Sequence, residues 1–180
     1  AACFLINAAS YIAVIYSLSK MREDELQPSP RLVGSKGQLS AGLAYVRRTP
    51  LVLSTLIMMA IIGTFTYEFT VILPLFSEFT FGNSASGYAG LSACMGFGAV
   101  AGGIYTASRR RAGPNALFVA AALFGASVLV VSIMPTLLYA MLGMVLVGFF
   151  SIAFSAIGNV TVQMNSAAEM RGRIMALWTV

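Results

Sequence analysis

The chain has 180 residues, of which 58% are hydrophobic and 9% charged, with a formal net charge of +5. A soluble domain carries about 25% charged residues, so this composition excludes an ordinary water-soluble fold and points to a lipid-embedded one. Histidine is absent, which removes His-based catalysis and His-ligated metal, and Cys3 and Cys94 are too far apart for a disulfide framework or a Cys-based metal site.

In chain order, uncharged apolar runs cover residues 1–19, 49–67, 69–77, 79–108 and 112–168. A membrane crossing needs about 20 largely apolar residues. The last run is too long for one crossing, and Pro135 divides it into two antiparallel helices joined by a tight turn. The run from 79 opens with the polar, Gly-rich stretch Phe81-Gly82-Asn83-Ser84-Ala85-Ser86-Gly87, which reads as loop. The expected spans are 1–18 (partial), 50–76, 87–107, 114–133, 137–162 and 173–180 (partial). No basic segment precedes residues 1–18, so they do not read as a signal peptide; they read as the cut end of a membrane helix. The fold class expected is an all-α polytopic membrane protein with four complete transmembrane helices and two partial ones. Its divisions are residues 1–19, the end of one span; residues 20–49, a polar loop; and residues 50–180, an incomplete transmembrane bundle.

The basic residues set the orientation. Lys20, Arg22, Arg31, Lys36, Arg47 and Arg48 lie in the connection 20–48, Arg109, Arg110 and Arg111 in 108–113, and Arg171 and Arg173 in 163–173. The connections 77–86 and around Pro135 hold none. All eleven Lys and Arg thus fall in alternate connections, which places these on the cytoplasmic side and the other two outside. Topology accounts for every positive charge, so nucleic acid is not an expected partner. Within 20–48, Pro28 and Pro30 mark a solvated linker. Leu39, Leu43 and Val46 then recur at helical spacing and suggest a short helix on the inner membrane surface, the alternative being the first turn of the next crossing.

Few groups inside the spans can carry chemistry. Glu68 is the one ionisable residue well inside an apolar stretch, and an intramembrane carboxylate is a functional candidate by default. Thr64 and Tyr67 lie close enough in sequence to donate hydrogen bonds to it. Counted from Pro50 at ~1.5 Å per residue, Glu68 sits roughly 27 Å along the helix, in the outer part of the bilayer. It is either a substrate or proton site or a helix-end acid reaching outer water. Small residues crowd 87–107: Ser86 and Gly90, Gly98 and Gly102, and Ala99 and Gly103 are spaced for close helix packing, with a flexible gating helix as the alternative. Ser151, Ser155, Asn159 and Gln163 follow one another at four-residue steps and line a cavity or a hydrogen-bonded helix contact. No metal site and no cofactor motif is found; Gly96-Phe97-Gly98 has neither the preceding strand nor the spacing of a dinucleotide loop.

Four segments together carry a family resemblance. These are Gly42-Leu43-Ala44-Tyr45-Val46-Arg47-Arg48-Thr49-Pro50; Leu73-Pro74-Leu75 followed by Gly87-Tyr88 and the Gly-rich helix; Ala107-Ser108-Arg109-Arg110-Arg111; and Asn159 and Gln163 with Arg171-Gly172-Arg173-Ile174-Met175-Ala176-Leu177. In this order they resemble the C-terminal half of a major facilitator superfamily transporter, in the bacterial drug and siderophore exporter branch that includes enterobactin and macrolide efflux proteins. The fourth segment is the most specific. The resemblance implies the end of helix six, the central cytoplasmic loop, helices seven to ten and the start of helix eleven. It further implies a multi-pass protein of a bacterial inner membrane and proton-driven export of small, fairly apolar molecules by alternating access, a carrier and not an enzyme. A missing N-terminal half of the same transporter, the lipid bilayer and a small-molecule substrate are the implied partners. Arg109, Arg110, Gln163, Arg171, Gly172 and Arg173 are the implied cytoplasmic switching residues. Where the superfamily's basic loop often carries an Asp before its first Arg, this chain has Ala107 and Ser108. The rivals on the sequence are a membrane enzyme, for which one buried acid without a partner is a poor basis, and a non-transporting scaffold or receptor.

Overall fold

A computed structural model describes residues 2–21, 38–66, 68–82, 85–108 and 114–178. Among them all regular structure is helical, and the chain divides into two units, residues 1–36 and 37–180. In the first unit, α1 spans Ala2–Ser19. Its large side chains, among them Leu5, Tyr11, Ile12, Ile15 and Tyr16, are exposed. The hydroxyls of Ser10, Ser17 and Ser19 donate back to carbonyls of their own helix, so the helix presents little unsatisfied polarity to its surroundings.

The second unit holds α2 (Gln38–Arg48), α3 (Pro50–Thr66), α4 (Phe69–Phe81), α5 (Ala85–Ser108), α6 (Pro114–Ser132), α7 (Leu137–Asn165) and α8 (Ala168–Trp178). Proline at the first position of α3 and α6 suits a site whose N–H needs no helical partner. Gly82 ends α4 with φ 64°, a left-handed conformation that glycine adopts without penalty, and its N–H returns to the carbonyl of Glu78. Thr136, just past Pro135, is extended, and its carbonyl accepts from Ala140 to start α7. Among the described residues, four stretches are long and apolar enough to cross a membrane: Pro50–Phe81, Ala85–Ser108, Asn115–Ser132 and Leu137–Asn165.

Helix α7 is the organising element. It packs most extensively on α5, next on α6, and also touches α3 and α8. The most apolar stretch of α7 is 44% buried, against 6% along Pro50–Phe81. Leu73, Leu91, Phe124, Val131, Ala140, Met144 and Val147 form one buried cluster. Leu117, Ala120, Phe154 and Ile157 form a second. Val46, Val52, Val162 and Ile174 form a third, where α2, α3, α7 and α8 converge.

The structure corrects several boundaries. Within the span expected at 50–76, α3 ends at Thr66, Glu68 is non-helical, and α4 continues to Phe81, so the apolar stretch runs on past 76. The outer connection expected at 77–86 therefore shrinks to 82–84. Helix α7 runs three residues past the expected end at 162. The connection expected at 163–173 is mostly helix, since α8 begins at Ala168 and includes Arg171 and Arg173. Arginine is a good helix former, so its charge marks a membrane edge without ending a helix.

The short helix α2 also differs from its expected setting. Val46 is buried, but Leu43 is exposed, and the packed side is formed by Gly42, Tyr45 and Val46, spaced for one helix face. This face rests on α8 and α3. Gly42 lies over α8, where an added Cβ would stand 3.7 Å from that of Arg173, an ordinary packing contact. The burial of Leu39 lies outside the described residues.

Candidate functional site at the helix break and the apolar cleft

Glu68 stands at the break between α3 and α4. Its φ of −80° and ψ of 37° turn the chain out of the helical path, and its carbonyl accepts from Val71 and Ile72 to start α4. The residue thus occupies the N-cap of α4, where the positive end of the helix dipole favours a carboxylate. The side chain makes no capping hydrogen bond and is exposed. The donor expected from Thr64 is otherwise engaged: its hydroxyl donates to the carbonyl of Ala60 at 2.7 Å. Tyr67 lies outside the described residues.

Immediately after Glu68, helix α4 lines an open apolar cleft of about 90 Å³ with Phe69, Ile72, Leu73 and Phe76. The opposite wall comes from Val128, Val131 and Ser132 of α6 and from Met144 and Val147 of α7. Residues 69, 72, 73 and 76 follow the spacing of one helix face. That spacing is readable in the sequence, but inside an all-apolar run it does not stand out. Phe69 is further fixed by edge-to-face contact with Phe124, with ring centroids 6.4 Å apart.

The polar row on α7 does not line a single surface. Ser151 is buried and its hydroxyl donates to the carbonyl of Gly148 at 3.1 Å. Ser155 and Asn159 are half-buried, and Gln163 is exposed. A four-residue step overshoots one helical turn by about 40°, so the row winds from the bundle interior at Ser151 to the exterior at Gln163. Asn159 and Gln163 are joined, the amide of Gln163 donating to Oδ1 of Asn159. Among the described residues no buried polar side-chain atom lacks a partner.

Glycines line the contact between α5 and α7. A Cβ on Gly98 would overlap the carbonyl of Val145, one on Gly102 the carbonyl of Phe149, and one on Gly148 the carbonyl of Met95. The helices are therefore in backbone contact from both sides. Gly90 faces the end of the Met141 side chain instead. No side chain added at Gly96 would meet an atom within 4 Å.

At the other end of the bundle, Arg171 and Gly172 are exposed and Arg173 is half-buried. Nη1 of Arg173 donates to the thioether of Met170 at 3.7 Å. Arg109 and Arg110 lie outside the described residues. The expected site residues that are described thus fall in four places: the break at Glu68, the winding row of α7, the α5–α7 contact and the start of α8. No group of three or more metal-binding side chains occurs among the described residues.

Neither the curated proteins nor the solved structures compared with the chain give a match. A family model described as transmembrane secretion effector matches residues 1–180. With its apolar spanning helices, the chain therefore belongs to the transmembrane secretion effector family, transporters of the major facilitator superfamily.

Proposed function

We propose that the chain forms one bundle of a proton-coupled secondary exporter of small, fairly apolar molecules, of the drug or siderophore class, acting with a second bundle across an alternating-access cavity. The bacterial inner membrane is the setting this reading requires. The observation that carries it is that Glu68, an exposed carboxylate within the apolar stretch Pro50–Phe81, immediately precedes Phe69, the first residue of the cleft lining. Apolar walls supply contacts that tolerate many shapes, and a single carboxylate supplies counter-charge or holds a proton. Whole drug-sized ligands occupy roughly 300–1,000 Å³. A cleft of about 90 Å³ takes one ring or a short alkyl arm, and the rest of the binding surface belongs elsewhere in the cavity. Of the other expected polar residues, Thr64 and Tyr67 lie beside Glu68 in the chain, while Ser151, Ser155 and Asn159 lie on α7 outside the lining of this cleft. Gln163, Arg171, Gly172, Arg173, Arg109 and Arg110 serve the switch between inward and outward states.

Substituting Glu68→Gln in the intact transporter, reconstituted in vesicles, tests the reading. If the carboxylate binds charge, active export of cationic compounds falls about tenfold and that of neutral ones is unchanged. If it carries the coupling proton, active export of both falls while counterflow persists. Unchanged export of both at equal expression removes Glu68 from the mechanism. Absence of counterflow in the unsubstituted protein would favour a non-transporting scaffold or receptor.

A further inference from the structure

Helix α8 begins without a side-chain cap of its own. The carbonyl of Ala167 accepts from Met170 and Arg171, which makes Ala167 the residue that opens the helix. The hydroxyl of Ser166 donates to Val162, back into α7. The N–H of Ala167 donates to the hydroxyl oxygen of Tyr45, 3.0 Å away and 122 residues earlier in the chain. Tyr45 is carried there by α2, whose Val46 is buried with Val52, Val162 and Ile174. Gly42, one turn before, lies over Arg173.

We propose that α2 is a clamp whose docking holds the start of α8, and with it the positions of Arg171 and Arg173. The two parts of the clamp act on different atoms. The apolar seam at Val46 and Ile174 holds the helices side by side. The Tyr45 hydroxyl satisfies a backbone donor at the α7–α8 junction that the local sequence leaves to a distant partner. Loss of either loosens the same turn, so α2 and the first turn of α8 order together. The inference is independent of the substrate and of Glu68.

The test is hydrogen–deuterium exchange of the intact transporter in lipid nanodiscs. Tyr45→Phe keeps the ring and removes the acceptor. Exchange at the Ala167 amide and in the first turn of α8 is expected to rise roughly fivefold to tenfold, the range of a lost helix cap, with α5 and α7 unchanged. Unchanged exchange at Ala167 would overturn the capping role. A second measurement does not depend on that variant. The Cβ positions at 42 and 173 are 3.7 Å apart, within disulfide range. With Cys3 and Cys94 replaced by Ala, the pair Gly42→Cys and Arg173→Cys is expected to oxidise readily, and oxidation in the Tyr45→Phe background should slow exchange at Ala167 again. Failure of the pair to form a disulfide, or a disulfide that leaves exchange at Ala167 fast, would show that α2 does not hold this turn.

Discussion

Helix α7 meets α5 through backbone and meets α6 through side chains, and the two contacts behave as different materials. On the α5 side, Gly98, Gly102 and Gly148 bring main chains together from both directions. On the other side, Leu73, Phe124, Val131 and Met144 meet as bulky groups and leave the cleft open. Lipid tails are as apolar as leucine, so burying large side chains gains little between helices in a bilayer, whereas close backbone approach gains direct contact. The glycine side is therefore the rigid part of the bundle. The side-chain side has the slack that a binding surface for varied molecules needs.

This contrast can be broken at named positions. Gly98→Leu drives a large side chain into the Val145 backbone, which has no free rotamer with which to yield. A loss of about 3 kcal/mol of stability, or no folded protein at all, is expected and is read by thermal unfolding in detergent. Phe76→Ala acts on the other side. It widens the cleft, and under the proposed function it should weaken binding of an apolar substrate about tenfold in an equilibrium assay while shifting unfolding by less than Gly98→Leu. The smallest effect belongs to Gly96→Ala. This glycine has open space around it, so the substitution should be neutral or stabilising by up to about 1 kcal/mol through helix propensity. A loss at Gly96 as large as that at Gly98 would show that helix propensity, and not the seam, governs α5.

The spans were legible in the sequence because length and apolarity are what a bilayer demands of a helix. The turn at Pro135 was equally plain. The interruption at Glu68 was not, because no glycine or proline stands beside it. The only sign there is the charge of Glu68, which the sequence pattern treats as an interruption to be bridged. The start of α8 was missed for the opposite reason: Arg171 and Arg173 resemble loop residues only by charge. On α2, spacing selected Leu39, Leu43 and Val46, yet the packed face is Gly42, Tyr45 and Val46. Hydrophobic pattern detects apolar bulk and passes over a glycine or a tyrosine that packs. The partnership of Tyr45 with Ala167 spans 122 residues, and local periodicity carries no trace of it. Of the site, Glu68 was visible as an isolated charge, while the cleft beside it was hidden in uniform apolarity.

The glycine seam has one more consequence, for the medium in which the protein is handled. Each carbonyl of Val145, Phe149 and Met95 faces the position that a side chain would take on the opposing glycine, and therefore faces a Cα–H. Such Cα–H···O contacts are weak individually, but they are electrostatic, and electrostatic attraction grows as the local dielectric falls. The bond between α5 and α7 is then strengthened by the membrane itself. Thin or water-permeable detergent shells should loosen this pair before they disturb the side-chain clusters, so the choice of detergent decides whether the stiffest part of the bundle stays stiff.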